Sequence, residues 1–227
     1  MRGKKLVTIV SVGLFLVASG SVVSAQASTA VEVPPIQLEK VEPTGGKPLM
    51  ESLALRRSIR EFSDRQIPET VLSKLLWAAD GVNRPDGKRT APSAWNRQTV
   101  EIYVVTAAAA YRYVPDGHRL EPVVAGDLRA LTGVQPFVAT APMNLVYVAD
   151  LGKLEQMDSP ADEKVLMAAV EAGHMAQNVY LFCASEGLGA VTRMLIDREP
   201  LAEALQLRPE QYIISAQSVG YPEASTE

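Results

Sequence analysis

Three short stretches of the 227-residue chain carry residue types whose spacing suits binding chemistry. The first, Leu55-Arg56-Arg57-Ser58-Ile59-Arg60-Glu61-Phe62, places three guanidinium groups and a hydroxyl within five positions. Guanidinium forks match the oxygens of a phosphate, and a serine hydroxyl adds one more donor, so the stretch is suited to trapping an oxyanion. If it is extended, Arg56, Ser58 and Arg60 project to one side. A solvated basic edge paired to Glu51 and Glu61 has the same spacing, and spacing alone leaves both readings open. The second stretch is Ala91-Pro92-Ser93-Ala94-Trp95-Asn96-Arg97-Gln98, directly before a β-branched run. Amide groups in such a loop can bind the polar edge of a ring, and Trp95 either covers a ligand face or packs within the loop. The third, Glu186-Gly187-Leu188-Gly189-Ala190-Val191, has two glycines that let backbone come close to a flat ligand.

Helices and strands alternate around these stretches. Residues 49–57 read as a helix with Leu49, Leu53 and Ala54 on one face, and 68–80 as a second with Val71, Leu72, Leu75, Leu76 and Ala79 at helical spacing. Residues 81–92 are a loop by composition. Strands are predicted at 100–106, 144–149, 190–192 and 212–219, with a hairpin over 111–120 around Asp116-Gly117. Short helices are predicted at 124–133 and 199–205. The longest helix is 164–186, ended by Gly187; its Ala168, Ala169, Ala172, Gly173 and Ala176 would let another helix approach closely. This interleaving indicates an α+β sandwich around a central sheet. Neither a G-x-G-x-x-G turn nor a Walker loop is present.

Composition narrows the function classes. Lys and Arg number 22 against 26 Asp and Glu, a formal charge of −4, which argues against a general nucleic-acid binder. A lone cysteine, Cys183, excludes a disulfide framework and a Cys-based metal site, and two histidines, His118 and His174, do not make a His-rich one. No Ser/His/Asp triad is assembled, and His174 reads as a helix-packing residue. At the start, Arg2, Lys4 and Lys5 precede an apolar run over 6–18 and then Val23-Ser24-Ala25, the pattern of a secretory signal cleaved after Ala25. An uncleaved anchor is the alternative. Loss of three cations would leave a mature chain of 202 residues at −7, expected to be periplasmic or secreted. The expected organisation is therefore a signal at 1–25, an extended Pro- and Gly-rich arm at 26–47, one domain at 48–222 and a tail at 223–227.

Taken in order, Arg-Arg-Ser-x-Arg-x-Phe, Pro-Ser-x-x-Asn-x-Gln before a strand, and Gly-x-Gly after a long helix resemble the nitroreductase family of FMN-dependent oxidoreductases. Leu75–Gly81, Arg89–Ser93 and Glu171–Asn178 resemble the branch containing the azoline-forming dehydrogenases. The resemblance implies a mostly antiparallel sheet between helices, in a homodimer with FMN at the subunit interface. It implies that Arg56, Arg57, Ser58 and Arg60 hold the phosphate and part of the ring. It assigns the ring edge to Asn96, in a loop that also offers Pro92, Ser93 and Gln98. The backbone of Leu188, Gly189, Ala190 and Val191 would approach the flavin N5 side. The implied reaction is ping-pong hydride transfer to a small acceptor, with NAD(P)H as reductant. Because an exported enzyme would rarely meet NAD(P)H, a redox partner at the membrane is the alternative electron source. A non-catalytic flavin-binding protein with the same fold is a further alternative. Three departures stand out. Arg193-Met194-Leu195 replaces a usual Gly-x-Phe, and the azoline branch's Gly-Ala-Leu-Tyr-Pro is missing. The chain also has no basic residue near its end, which brings in Arg193 as an added phosphate ligand.

Overall fold

Near-continuous buried runs along β-strands such as Met143–Asp150 and Val100–Val105 make a sheet with two buried faces. The structure, a computed structural model, describes residues 33–223. The expected signal at 1–25, the first part of the arm and all but Glu223 of the tail lie outside the described residues. Strands β1 (Ile36–Gln37), β2 (Val100–Val105), β3 (Ala109–Val114), β4 (Arg119–Ala125), β5 (Met143–Asp150), β6 (Gly189–Arg193) and β7 (Gln211–Gly220) form one sheet in the order β1-β4-β3-β2-β5-β7-β6. Every pairing between these strands is antiparallel.

Helices α1 (Leu49–Leu55), α2 (Glu69–Asp80) and α3 (Ala161–Glu186) belong to one side, and α4 (Arg198–Ala204) to the other. Ile102, Val104, Leu145 and Tyr147 meet Leu75, Leu76, Met175 and Val179, whereas Tyr103, Val105, Val146 and Val148 meet Leu201 and Leu205. On α3 the buried positions are Ala168, Glu171, Ala172, Met175, Ala176, Val179 and Cys183, a 3.6-residue stripe. Gly187, at φ 73°, ends the helix in the left-handed conformation that the sequence predicted for it.

Two expected elements change. The helix expected at 124–133 does not form: Val123 and Val124 continue β4, whose partner Ala109–Ala110 lies in β3, and only Arg129–Thr132 makes a 3-10 turn. β-branched residues beside an open strand edge pair more readily than they coil. Pro122 is tolerated there because β1 covers only Leu120 and Arg119 of the other edge. The first helix also departs from expectation. It ends at Leu55, and its supposed core face is exposed: Leu49, Met50 and Leu53 face outward and only Ser52 is buried. Of the described residues before α1, Ile36–Gln37 form β1, which ties them to β4 of the sheet. Among the described residues no helix is long and apolar enough to cross a membrane.

Candidate functional site

Ending α1 at Leu55 frees the arginine stretch to run extended along the outer edge of β6. Ser58 forms a parallel bridge with Ala190, and the Ile59 N–H donates to the Ala190 carbonyl at 3.0 Å. Further on, Phe62 bridges Pro222 and the Ser63 N–H donates to the Tyr221 carbonyl at 2.9 Å. Extension separates the side chains into two sets, as its period of two requires. Arg56 and Ser58 gather at Tyr180 of α3: the guanidinium carbon lies 5.3 Å from the ring centroid, and the Ser58 and Tyr180 hydroxyls are 3.0 Å apart. Arg57 and Ile59 face a cleft of about 350 Å³ that Lys47, Tyr180, Leu188 and Ala190 also line.

The paired-edge reading of the arginines is not what forms. Glu51 pairs with Lys47 at 2.6 Å, and among the described residues no carboxylate lies within ion-pair distance of Arg56, Arg57 or Arg60. Three cations without counter-charges, beside an exposed serine, retain their full capacity for an anion. Arg56 with Ser58 offers donors of the kind that a phosphate monoester such as the terminal group of FMN accepts, while Arg57 faces the cleft with the other set. Among the described residues no cluster could hold a metal ion.

The glycine turn behaves differently from expectation. A Cβ on Gly189 would sit 2.9 Å from the Cβ of Ile59, so its missing side chain admits the chain's own arginine stretch. Leu188 and Val191 are core residues. The outward backbone of β6 is engaged from within, through the Ala190 carbonyl and through the Thr192 N–H, which donates to the Tyr180 hydroxyl at 2.8 Å. Arg193 is also displaced from its expected role. It is 4% exposed on the α4 side, donating to the Thr132 carbonyl and Asn144 Oδ1, and burial pulls its guanidinium down to about 10. Its side chain ties the 129–140 turns to the sheet and is absent from the cleft lining.

The loop at 92–98 lies elsewhere on α3. Trp95, Asn96 and Gln98 have φ of 47°, 55° and 49°, three non-glycine residues in the left-handed region within four positions. Such a backbone persists only where its surroundings hold it. Here the Gln98 N–H donates to Ser93 Oγ at 3.0 Å, and Lys153 Nζ donates to the Gln98 carbonyl at 3.0 Å. Glu171, buried on α3, accepts from the N–H groups of Thr99 and Val100 at 3.2 and 3.0 Å. Burial raises the Glu171 carboxyl, against the pull of those two donors. At the loop's base Asp80 pairs with Arg89; burial pushes Asp80 up to about 7 despite that guanidinium. The Gln98 amide is committed to the Gly87 carbonyl at 3.1 Å, while Asn96 is exposed and Trp95 is 72% exposed. Pro92 and Ser93 border an apolar hollow with Leu166, Val170 and His174.

One chain therefore brings the first and third stretches together but not the second. Glu171, which anchors the loop, and Tyr180, which anchors the arginines, are nine residues apart, about 14 Å along the helix. Tyr180, Glu171 and Lys47 were not picked out as site residues by sequence reasoning. The Glu171–Asn178 match drew attention to the right helix, but no local pattern marks a tyrosine whose partners are 122 and 12 residues away.

A seven-stranded antiparallel sheet between helices, with an extended arginine stretch bridged to its edge strand, defines an α+β protein. The nitroreductase family model matches residues 53–221. A Methanocaldococcus jannaschii protein assigned as a nitroreductase is 30% identical over 188 residues, covering 78% of this chain and 90% of its own. A Bacillus subtilis FMN reductase using NAD(P)H is 25% identical, covering 77% and 66%. A crystal structure of a Ralstonia eutropha JMP134 protein, also assigned as a nitroreductase, superposes with a TM-score of 0.80 at 44% identity, covering 84% of this chain and 90% of that one. The chain belongs to the nitroreductase family.

Proposed function

We propose that the protein is an exported FMN-dependent oxidoreductase that works as a homodimer, passing hydride from a reductant to a small acceptor. The observation that carries this reading is the set Arg56, Arg57, Arg60 and Ser58, held on the β6 edge with no carboxylate partner among the described residues. Bound FMN supplies hydride acceptance and donation at its N5. The chain's residues bind and orient: the arginines neutralise the phosphate, and exposed Asn96 offers an amide to the ring edge. The name of the Bacillus subtilis relative supports both FMN and NAD(P)H. If the chain is exported, a membrane redox partner would serve in place of NAD(P)H.

The dimer reading is supported by exposed apolar side chains on α1 and α3, including Leu166 at 64% and Val170 at 53%, and by Gly173, where an added Cβ would meet nothing. A second copy packed on this stripe would cover it and bring the partner's 92–98 loop to the arginine cluster. Purified protein should be yellow and release FMN on denaturation. Replacing Arg56 and Arg60 together by Ala should lower flavin occupancy at least about tenfold, since each charged hydrogen bond contributes about 1.5–3 kcal/mol. Colourless protein that FMN cannot reconstitute would end this reading; full occupancy in the double variant would remove the phosphate assignment.

A further inference from the structure

Tyr180 touches both the arginine stretch and β6. Its hydroxyl accepts the Thr192 N–H at 2.8 Å, and the acceptor within its reach is Ser58 Oγ at 3.0 Å. The face of its ring lies under the Arg56 guanidinium, 5.3 Å from centroid to carbon. A phenol has one proton to give. Donation to Ser58 Oγ satisfies that proton, whereas the reverse direction leaves it with no acceptor among the described residues.

We infer that Tyr180 is a positioning residue for phosphate recognition, setting the direction of a relay from Thr192 N–H through Tyr180 to Ser58. Ser58 accepts from the phenol, so its own proton is left free to donate outward beside Arg56. The ring holds that guanidinium over the same spot by cation–π attraction. Chained hydrogen bonds polarise one another, which strengthens the outermost donor toward an anion. The ligand this favours is a phosphate monoester; a flavin lacking the phosphate gains nothing from it. The inference rests on the phosphate reading proposed above.

The test compares FMN with riboflavin by equilibrium dialysis on the full chain. Tyr180→Phe keeps the ring and its packing but removes the proton. It should weaken FMN about tenfold and leave riboflavin unchanged, as expected for losing a donor to a charged group. Ser58→Ala should do the same, and the double variant should be no worse than Ser58→Ala alone, because both remove one relay. Equal weakening of FMN and riboflavin would mean a packing role and overturn the inference. Wild-type preference for FMN surviving intact in Tyr180→Phe would also overturn it, with the phosphate reading left standing. Wild-type protein with no preference for FMN over riboflavin would remove both.

Discussion

At the scale of single residues, chemistry is decided by what each polar group has left to give. Arg56, Arg57 and Arg60 lack ion-pair partners, whereas Arg193, chemically identical, gives two of its nitrogens to Thr132 and Asn144 inside the molecule. Both kinds look alike in a string of letters. Glu171 shows the reverse: it resembles an ordinary surface position on a helix, yet its carboxylate is the cap for two backbone N–H groups at the start of β2. Replacing Glu171 by Gln leaves one oxygen for two donors. The expected loss is about 1–3 kcal/mol of stability, the penalty for an unsatisfied buried group, read from urea denaturation midpoints. An unchanged midpoint would show that water satisfies the orphaned N–H.

Elements depend on residues that tie one to another. His118, at the β3–β4 turn, receives a hydrogen bond from the Tyr113 hydroxyl at Nδ1 and engages Ser73 of α2 through Nε2, both at 2.8 Å. Ser73 donates in turn to the Glu39 carbonyl of the arm at 2.6 Å, and the Leu38 N–H donates to the His118 carbonyl. A neutral imidazole makes this set by donating from Nε2 to Ser73 and accepting from Tyr113 at Nδ1, and burial lowers its pKa. The folded pKa lies below the unfolded value, so the knot contributes fully above about pH 6.5 and is lost as pH falls through and below that value. Acidification from pH 7.5 to 5 should lower Tm and lower the protection factor of the Leu38 amide, taken against the intrinsic exchange rate at each pH. In His118→Gln both changes should shrink; an equal pH dependence in that variant would place the titrating group elsewhere. The arm was legible in sequence as an extended, Pro-rich segment. Its pairing with β4 was not, because a two-residue strand has no periodicity to read.

For the whole molecule, the question is what covers the outer stripe of α3. The inner face of α3 fills the core and its outer face exposes Leu166 and Val170 around an open Gly173, the stripe that the proposed dimer would cover. Leu166→Glu with Val170→Glu should shift the protein from dimer to monomer by light scattering. Flavin occupancy should fall with it, because the 92–98 loop of one copy would no longer reach the arginines of the other. Monomeric wild-type protein with full flavin content would refute that arrangement.

What the sequence by itself determined was local and periodic. It marked the long helix α3 with its small residues, the strands β2, β5 and β7, the stop at Gly187, and the ordered motifs that the family match bears out. Only the tertiary structure decided which polar groups stay free. That outcome turns on contacts between residues far apart in the chain, such as Tyr180 with Ser58 and Ile59 with Gly189, and burial of a donor or acceptor is a property of the packed molecule that no spacing rule encodes.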